Sequence, residues 1–425
     1  MSIKYQSIRG MHDLLPCDTY YLNTIEKKIK NILYSHAYFE IRFPIVEKTQ
    51  LFEKAIGNNT DIIHKEMYNF WDKKQNKISL RPEGTVSCIR ACIQNNIFYD
   101  SQIQKLWYHG PMFRYERPQK GRFRQFYQLG VEFFGLKNYI TDYEVIMLTT
   151  EIWKKLNLLQ YLKLEINSIG QIPDRKIFAS ELINFFKQHI SQLTQHEKKL
   201  LSTNPIRILD SKNIYIQKLL KFAPILNNYL NINSYMRFKK LCKLLSQSKI
   251  NYKINNRLVR GLDYYNDTVF EWTSKYLGSQ HTICAGGRYD NLVEYLGGKK
   301  NAAIGFAIGM DRLFILKKLF NPNYFKNFFI DINIIFLQSI YSVFAIYLSN
   351  RLRLIWPKFR INTSLKILKN NNYKNISKKI KSNFLLILEP NMLNMNKILI
   401  KNVFKKTKKI ISINRIFKRP CVFIN

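Results

Sequence analysis

The segment from Gly110 to Gly135, GPMFRYERPQKGRFRQFYQLGVEFFG, constrains this chain more than any other. Its first half places Arg114, Arg117, Arg122 and Arg124 within eleven positions, around a loop containing Pro118 and Gly121. Its second half alternates like a strand, with Leu129, Val131 and Phe133 pointing one way and Gln128, Gly130 and Glu132 the other. An amide and a carboxylate flanking a residue without a side chain make an unusual sheet face. Burying such groups is costly unless something satisfies them, so the pattern predicts a polar ligand resting over Gly130. The plain alternative is an amphipathic edge strand with one solvated face. The arginines favour the first reading, because a guanidinium fork matches phosphate oxygens two at a time. The segment therefore predicts a hairpin with a cationic loop suited to a phosphate-bearing substrate.

A chain of 425 residues exceeds one ordinary core, so two or three domains are expected. The opening MSIKYQSIRG has no apolar targeting stretch. Residues Ile332 to Asn350 carry no charge, but Asn333, Gln338, Ser339 and Ser342 and a β-rich start predict a strand followed by a helix and no membrane partner. The cysteines (Cys17, Cys88, Cys92, Cys242, Cys284, Cys421) include no CxxC pair, which predicts no metal site and a reduced, cytoplasmic setting. Cys88 and Cys92, four apart, predict one helix face. The net charge of +39 rests on 48 lysines against 20 arginines, together with abundant Ile and Asn, a pattern that an A/T-rich coding bias produces whatever the function. Its distribution is still informative: from Asp331 onward, 19 Lys/Arg face 2 Asp/Glu, an excess that would bind polyanions by counterion release. Nucleic acid is the natural partner and a membrane surface the second.

No solenoid repeat is present. Residues 1–169 alternate helical and strand-like stretches, 171–250 is almost wholly helical and lysine-rich, and strand and turn signals resume at Asn251. After Pro322, strands at Ile332–Leu337, Phe384–Leu388 and Lys397–Ile400, with a helix reaching about Ile355, predict a small α/β unit.

Four further segments carry candidate chemistry. In LVRGLDYYNDTVFEW (258–272), Arg260 and Gly261 begin a turn and Tyr264 begins a strand, which would put Tyr264 and Tyr265 on opposite faces. Gly286-Gly287 in AGGRYD permits close ligand approach or a turn. GFAIGMDRL (305–313) leads a small-residue strand into a helix with Arg312 in its first turn. Arg81-Pro-Glu83-Gly-Thr85 sets a carboxylate and a hydroxyl on a turn beside a helix. Walker A, HExxH, GxSxG and dinucleotide fingerprints are all absent, so a bound nucleotide would be held by arginines and not by a glycine-rich loop.

FRYE with its basic loop and strand resembles motif 2 of class II aminoacyl-tRNA synthetases, GFAIGMDRL resembles motif 3, and the Phe43-Pro44 region resembles motif 1, the dimer segment. LVRGLDYY and CAGGRYD resemble the two signature segments of the histidyl-tRNA synthetase family, and IRGMHDLLP and RPEGT fit the same pattern. The resemblance implies an α+β fold: an antiparallel-sheet catalytic domain (1–169 and 251–325), a helical insertion (170–250) and a C-terminal α/β anticodon-binding-like domain (329–425). It implies a homodimeric ligase that uses ATP and Mg²⁺ to activate L-histidine and then charges tRNA(His). The alternative it leaves is a non-catalytic paralogue regulating histidine biosynthesis.

Site roles follow from the same resemblance. Arg114 and Arg260 are catalytic, flanking the α-phosphate and the amino-acid carboxylate. Glu116, Arg122, Phe126 and Arg312, with Arg114, bind ATP. Glu83, Thr85, Gln128, Glu132, Tyr264 and Tyr265, with both catalytic arginines, surround histidine over the gap at Gly130. Arg117 and Gln119 meet the tRNA acceptor end. Two departures stand out: Asp311 occupies a motif 3 position where the family usually has glutamate, and Asn362 to Asn372 lacks the glycine-rich stretch expected before a helix at Ser377–Ile380.

Overall fold

The computed structural model describes residues 5–57, 60–100, 103–211, 213–321, 330–365 and 382–418. Ser377–Ile380 and residues 366–372 lie outside the described residues. The chain divides into two compact units, Met1–Pro322 and Asn323–Asn425.

In the first unit, helix α1 (Pro16–Ser35) starts on a proline, which loses nothing at a position whose N–H has no helical partner. Its buried stripe of Tyr21, Leu22, Ile25, Ile29, Ile32 and Leu33 follows helical spacing. Short strands β1 (Phe39–Glu40) and β2 (Val46–Lys48), helix α2 (Thr49–Ile56), strands β3 (Asn69–Trp71) and β4 (Lys77–Leu80), and helices α3 (Thr85–Gln94) and α4 (Ile97–Asp100) come next. The anticipated hairpin follows as β5 (Gln104–Phe113) and β6 (Gln125–Phe134), antiparallel with Tyr108 opposite Gly130. Helix α5 (Tyr139–Lys155) is capped by the Asn138 side chain, which accepts from Ile140 N at 3.1 Å. Strand β7 (Lys163–Ser168) leads into α6 (Ile172–Lys187), α7 (Gln195–Thr203), α8 (Ile214–Leu219) and α9 (Ile232–Gln247). Strands β8 (Tyr252–Ile254), β9 (Asn266–Thr273) and β10 (Thr282–Arg288), helix α10 (Leu292–Tyr295), strand β11 (Ala303–Gly309) and helix α11 (Met310–Phe320) complete the unit.

One eight-stranded sheet organises it, in the order β1-β5-β6-β11-β10-β9-β7-β8. All its pairs are antiparallel except β1–β5 and β7–β8. Leu129, Val131 and Phe133 pack with α1 and α5 in one apolar cluster, as the alternation predicts. Strand β6 lies between β5 and β11, so the edge-strand alternative does not hold. Among described residues 171–250 contains no strand, and its Phe178, Leu182 and Phe186 share an apolar cluster with Val86, Ile89 and Phe134 of the sheet side.

Two polar knots fasten these layers. Arg288 is fully buried and donates to Asp142 Oδ1 and Leu136 O at 2.5 Å each, with Asp290 at 3.2 Å. Asp267, with a left-handed φ of 48°, accepts from Gln171 and Ser234 at 2.5 Å and Arg237 at 2.7 Å, tying α6 and α9 to the start of β9. A buried ionic group needs such partners to offset desolvation.

In the second unit, β12 (Ile330–Phe336), α12 (Ser342–Ile355), β13 (Ile361–Thr363), β14 (Ser382–Leu388), β15 (Lys397–Asn402) and β16 (Lys408–Ser412) form the expected α/β pattern. The sheet order is β13-β12-β14-β15-β16, parallel about β12 and antiparallel beyond β14. Lys405, Lys406, Lys408 and Lys409 are exposed at its β15–β16 hairpin. No helix among the described residues is long and apolar enough to cross a membrane.

Three sequence expectations need correction. The space over Gly130 is filled by the Tyr108 ring, which lies where a Cβ on Gly130 or Gly84 would sit, so it is not a gap left for substrate. Tyr264 and Tyr265 precede β9 and are not part of it; their rings lie 4.7 Å apart, on the same side. Gly286 and Gly287 form no turn: they sit inside β10, where a Cβ would meet the backbone of Gly305 and Thr268, so strand packing already requires both glycines. Gly130→Ala should therefore destabilise the unit by about 1–3 kcal/mol through overpacking. Denaturant unfolding checks this, and an unchanged midpoint would refute the Tyr108 wedge.

Candidate active site

The residues carrying the family resemblance converge on one cleft of about 300 Å³. Glu83, Thr85, Arg114, Glu116, Arg122, Phe126, Gln128, Arg260, Tyr264, Tyr265 and Arg312 all line it. They come from the turn before α3, the β5–β6 hairpin, the loop before β9 and the first turn of α11. Arg117 and Gln119, expected at the tRNA end, and Glu132, expected at histidine, do not line it. Arg117 and Gln119 are exposed towards the tip of the hairpin loop. Glu132 is only 1% exposed, and it sits beneath the cleft without lining it.

Local geometry explains each placement. The Glu83 carboxylate accepts from Thr85 N at 2.9 Å and Val86 N at 2.8 Å, capping the first turn of α3. Burial pushes its pKa up, and those backbone donors oppose the shift. The Tyr264 hydroxyl reaches the same carboxylate at 3.4 Å. Below, Tyr108 donates to Glu132 Oε1 at 3.1 Å and Tyr289 donates to Oε2. Burial raises the Glu132 pKa to about 8, against the stabilising phenol donors.

The cations are held as firmly. Arg114 donates to Pro82 O at 2.9 Å and lies over the Phe126 ring at 5.3 Å, leaving a flat surface suited to stacking a base. Arg122 pairs with Glu116 and approaches Glu66 at 3.6 Å, so the carboxylate expected at an adenine amine is engaged by an arginine in this state. Arg312 donates to Gly121 O at 2.8 Å and Thr282 O at 2.7 Å, bracing the hairpin loop against β10. Arg260 pairs with Glu271, whose other oxygen accepts from Thr282 Oγ1 at 2.8 Å. Asp311 accepts from Tyr127 N at 2.7 Å, so the shorter acid of motif 3 secures α11 to β6.

Several of these groups escape the motif reading. Tyr108 could have been found as the bulky cross-strand partner of a glycine, and Glu271 as a carboxylate inside the apolar run VFEWT. No group of three or more His, Cys, Asp or Glu that could hold a metal occurs among described residues. The cleft carboxylates already accept from Arg122, Arg260, Tyr127 N and the start of α3.

The raised Glu132 pKa has a consequence for stability. An unfolded carboxyl releases its proton near 4.5, whereas the folded one keeps it to about pH 8, so the native state binds the extra proton between those values. This contribution is full below pH 4.5 and is lost as pH rises towards 8. Glu132→Gln should therefore gain stability relative to the parent chain as pH rises from about 5 to 8. Thermal melts across that range decide it, and a pH-independent difference would contradict a protonated Glu132.

Comparison with known proteins agrees with this geometry. The family profile described as histidyl-tRNA synthetase matches residues 10–313. A histidine–tRNA ligase of Buchnera aphidicola subsp. Schizaphis graminum is 48% identical over 98% of this chain and 99% of its own length. Its counterpart from Buchnera aphidicola subsp. Baizongia pistaciae is 47% identical over 97% of both chains. The crystal structure of apo S. aureus histidyl-tRNA synthetase superposes with a TM-score of 0.79 at 30% identity, covering 97% of this chain and 99% of that one. The chain belongs to the histidyl-tRNA synthetase family.

Proposed function

We propose that this protein is a histidine–tRNA ligase that condenses L-histidine with ATP to histidyl-adenylate, releases pyrophosphate, and transfers histidine to the 3′ end of tRNA(His). The observation that carries this reading is the convergence of eleven motif residues from separate segments on one cleft. Adenylate formation needs a carboxylate and an α-phosphate, both anionic, brought into line. Arg114 and Arg260 offset their repulsion and stabilise the charge that grows on the phosphate. Phe126 stacks the adenine, with Arg312 on the outer phosphates. Glu83, Thr85, Gln128 and the two tyrosines receive histidine, Glu83 facing the ammonium. Glu132 contributes from below the floor through its contacts with Tyr108 and Tyr289. Mg²⁺ enters as the counterion of substrate ATP, in keeping with cleft carboxylates that are already engaged. Arg117 and Gln119, exposed on the hairpin loop, are suited to the acceptor end of the tRNA.

The same reading assigns residues 170–250 as an insertion within the catalytic domain and 329–425 as an anticodon-binding-like domain whose exposed lysines favour an RNA backbone. A homodimer joined through the Phe43-Pro44 region and a cytoplasmic location complete it. Retention of Arg114, Arg260 and Arg312 in one cleft disfavours the regulatory-paralogue alternative.

Histidine-dependent exchange of labelled pyrophosphate into ATP tests the proposal; a folded protein showing none would overturn it. Arg260→Ala should lower exchange by about two to three orders of magnitude, the scale of losing one transition-state donor, with histidine binding by calorimetry little changed. Exchange at the parental rate would refute its role.

A further inference from the structure

Glu271 belongs to none of the motifs, yet it is the carboxylate on which Arg260 rests. It extends from β9 into the cleft, where its Oε1 accepts from Arg260 Nη1 and its Oε2 from Thr282 Oγ1 at 2.8 Å. Thr282 in turn accepts at its backbone carbonyl from Arg312 Nη1 at 2.7 Å, and Arg312 Nε donates to Gly121 O at 2.8 Å. Arg260, Glu271, Thr282, Arg312 and the hairpin loop thus form one continuous brace across the cleft. The Arg260 guanidinium also lies over the Tyr265 ring at 5.6 Å, while its Nε is buried without a hydrogen-bond partner among described residues, so the Nη1 side is held and the Nε–H is unsatisfied. A carboxylate held at both oxygens defines the angle of the guanidinium it binds, because the planar fork accepts few orientations.

We infer that Glu271, braced by Thr282, is a positioning residue for adenylate formation: it aims the unsatisfied edge of Arg260 at the reacting anions and couples Arg260 to Arg312. The inference rests on the ligase reading above. Losing the charge of Glu271 leaves Arg260 against the Tyr265 ring but without the acceptor that sets its angle, so the cost falls on the chemical step more than on substrate capture.

The test is steady-state pyrophosphate exchange on the full chain, comparing the parent protein with Glu271→Gln, Glu271→Asp and Thr282→Val, each alone and in an Arg260→Ala background. Glu271→Gln should lower kcat by about 10- to 100-fold while the KM values for histidine and ATP move by less than about threefold. Glu271→Asp, which keeps the charge, should recover part of that loss, and Thr282→Val should cost about three- to tenfold. In the Arg260→Ala background Glu271→Gln should cost nothing further, since there is no guanidinium left to aim. An unchanged kcat for Glu271→Gln, or an equal loss with and without Arg260, would overturn the inference while the ligase reading stands. An inert, folded parent protein would overturn both. If Glu271→Gln does not fold, Thr282→Val in the two backgrounds decides by the same criterion.

Discussion

The ring of Tyr108 between Gly84 and Gly130 is the contact on which the cleft depends. It wedges the turn that opens α3 against the central strand β6, and its hydroxyl then reaches Glu132 at 3.1 Å. The wedge fixes how the turn that carries Glu83 and Thr85 meets β6, the strand that carries Gln128. A cross-strand pair of a large aromatic and a glycine fills the pleat while letting the helix come close. Among the described residues the buried carboxylate below is held by two phenols, which suits a floor with fixed dipoles.

Above that floor the cleft is an assembly of matched charges. Arg114, Arg122, Arg260 and Arg312 share it with Glu83, Glu116, Glu271 and Asp311. Few of the arginine groups are idle: carbonyls or carboxylates hold Arg114, Arg122, Arg260 and Arg312. Arg114, Arg260 and Arg312 are thus oriented by fixed partners, whereas Arg122 and Glu116 satisfy one another.

Much of this was legible in the chain itself. The alternation around Gln128, Gly130 and Glu132 located the central strand and its buried polar face, and separated motifs identified most of the cleft wall. What failed to show did so for physical reasons. Alternation says which residues share a face but not what covers it, so Gly130 read as open space when a tyrosine from the neighbouring strand occupies it. Adjacent tyrosines face apart only if the strand has begun, and here a turn before β9 keeps both rings on one side. Glu271 and Thr282 are ordinary strand residues by composition. Their meaning lies in a pairing between β9 and β10 that no local window contains.

The buried pair of Arg288 and Asp142 has a consequence for how this sequence can change. Replacing Arg288 strands the Asp142 charge in the interior, at a cost of about 3–5 kcal/mol, a large share of an ordinary domain's stability, whereas replacing Asp142 still leaves Arg288 its Asp290 partner. The Arg288 codon can then not wander alone, and a passage to a neutral pair that begins there crosses a strongly destabilised intermediate. A compositional pressure strong enough to cover the exterior with lysine and asparagine would stop at such a pair.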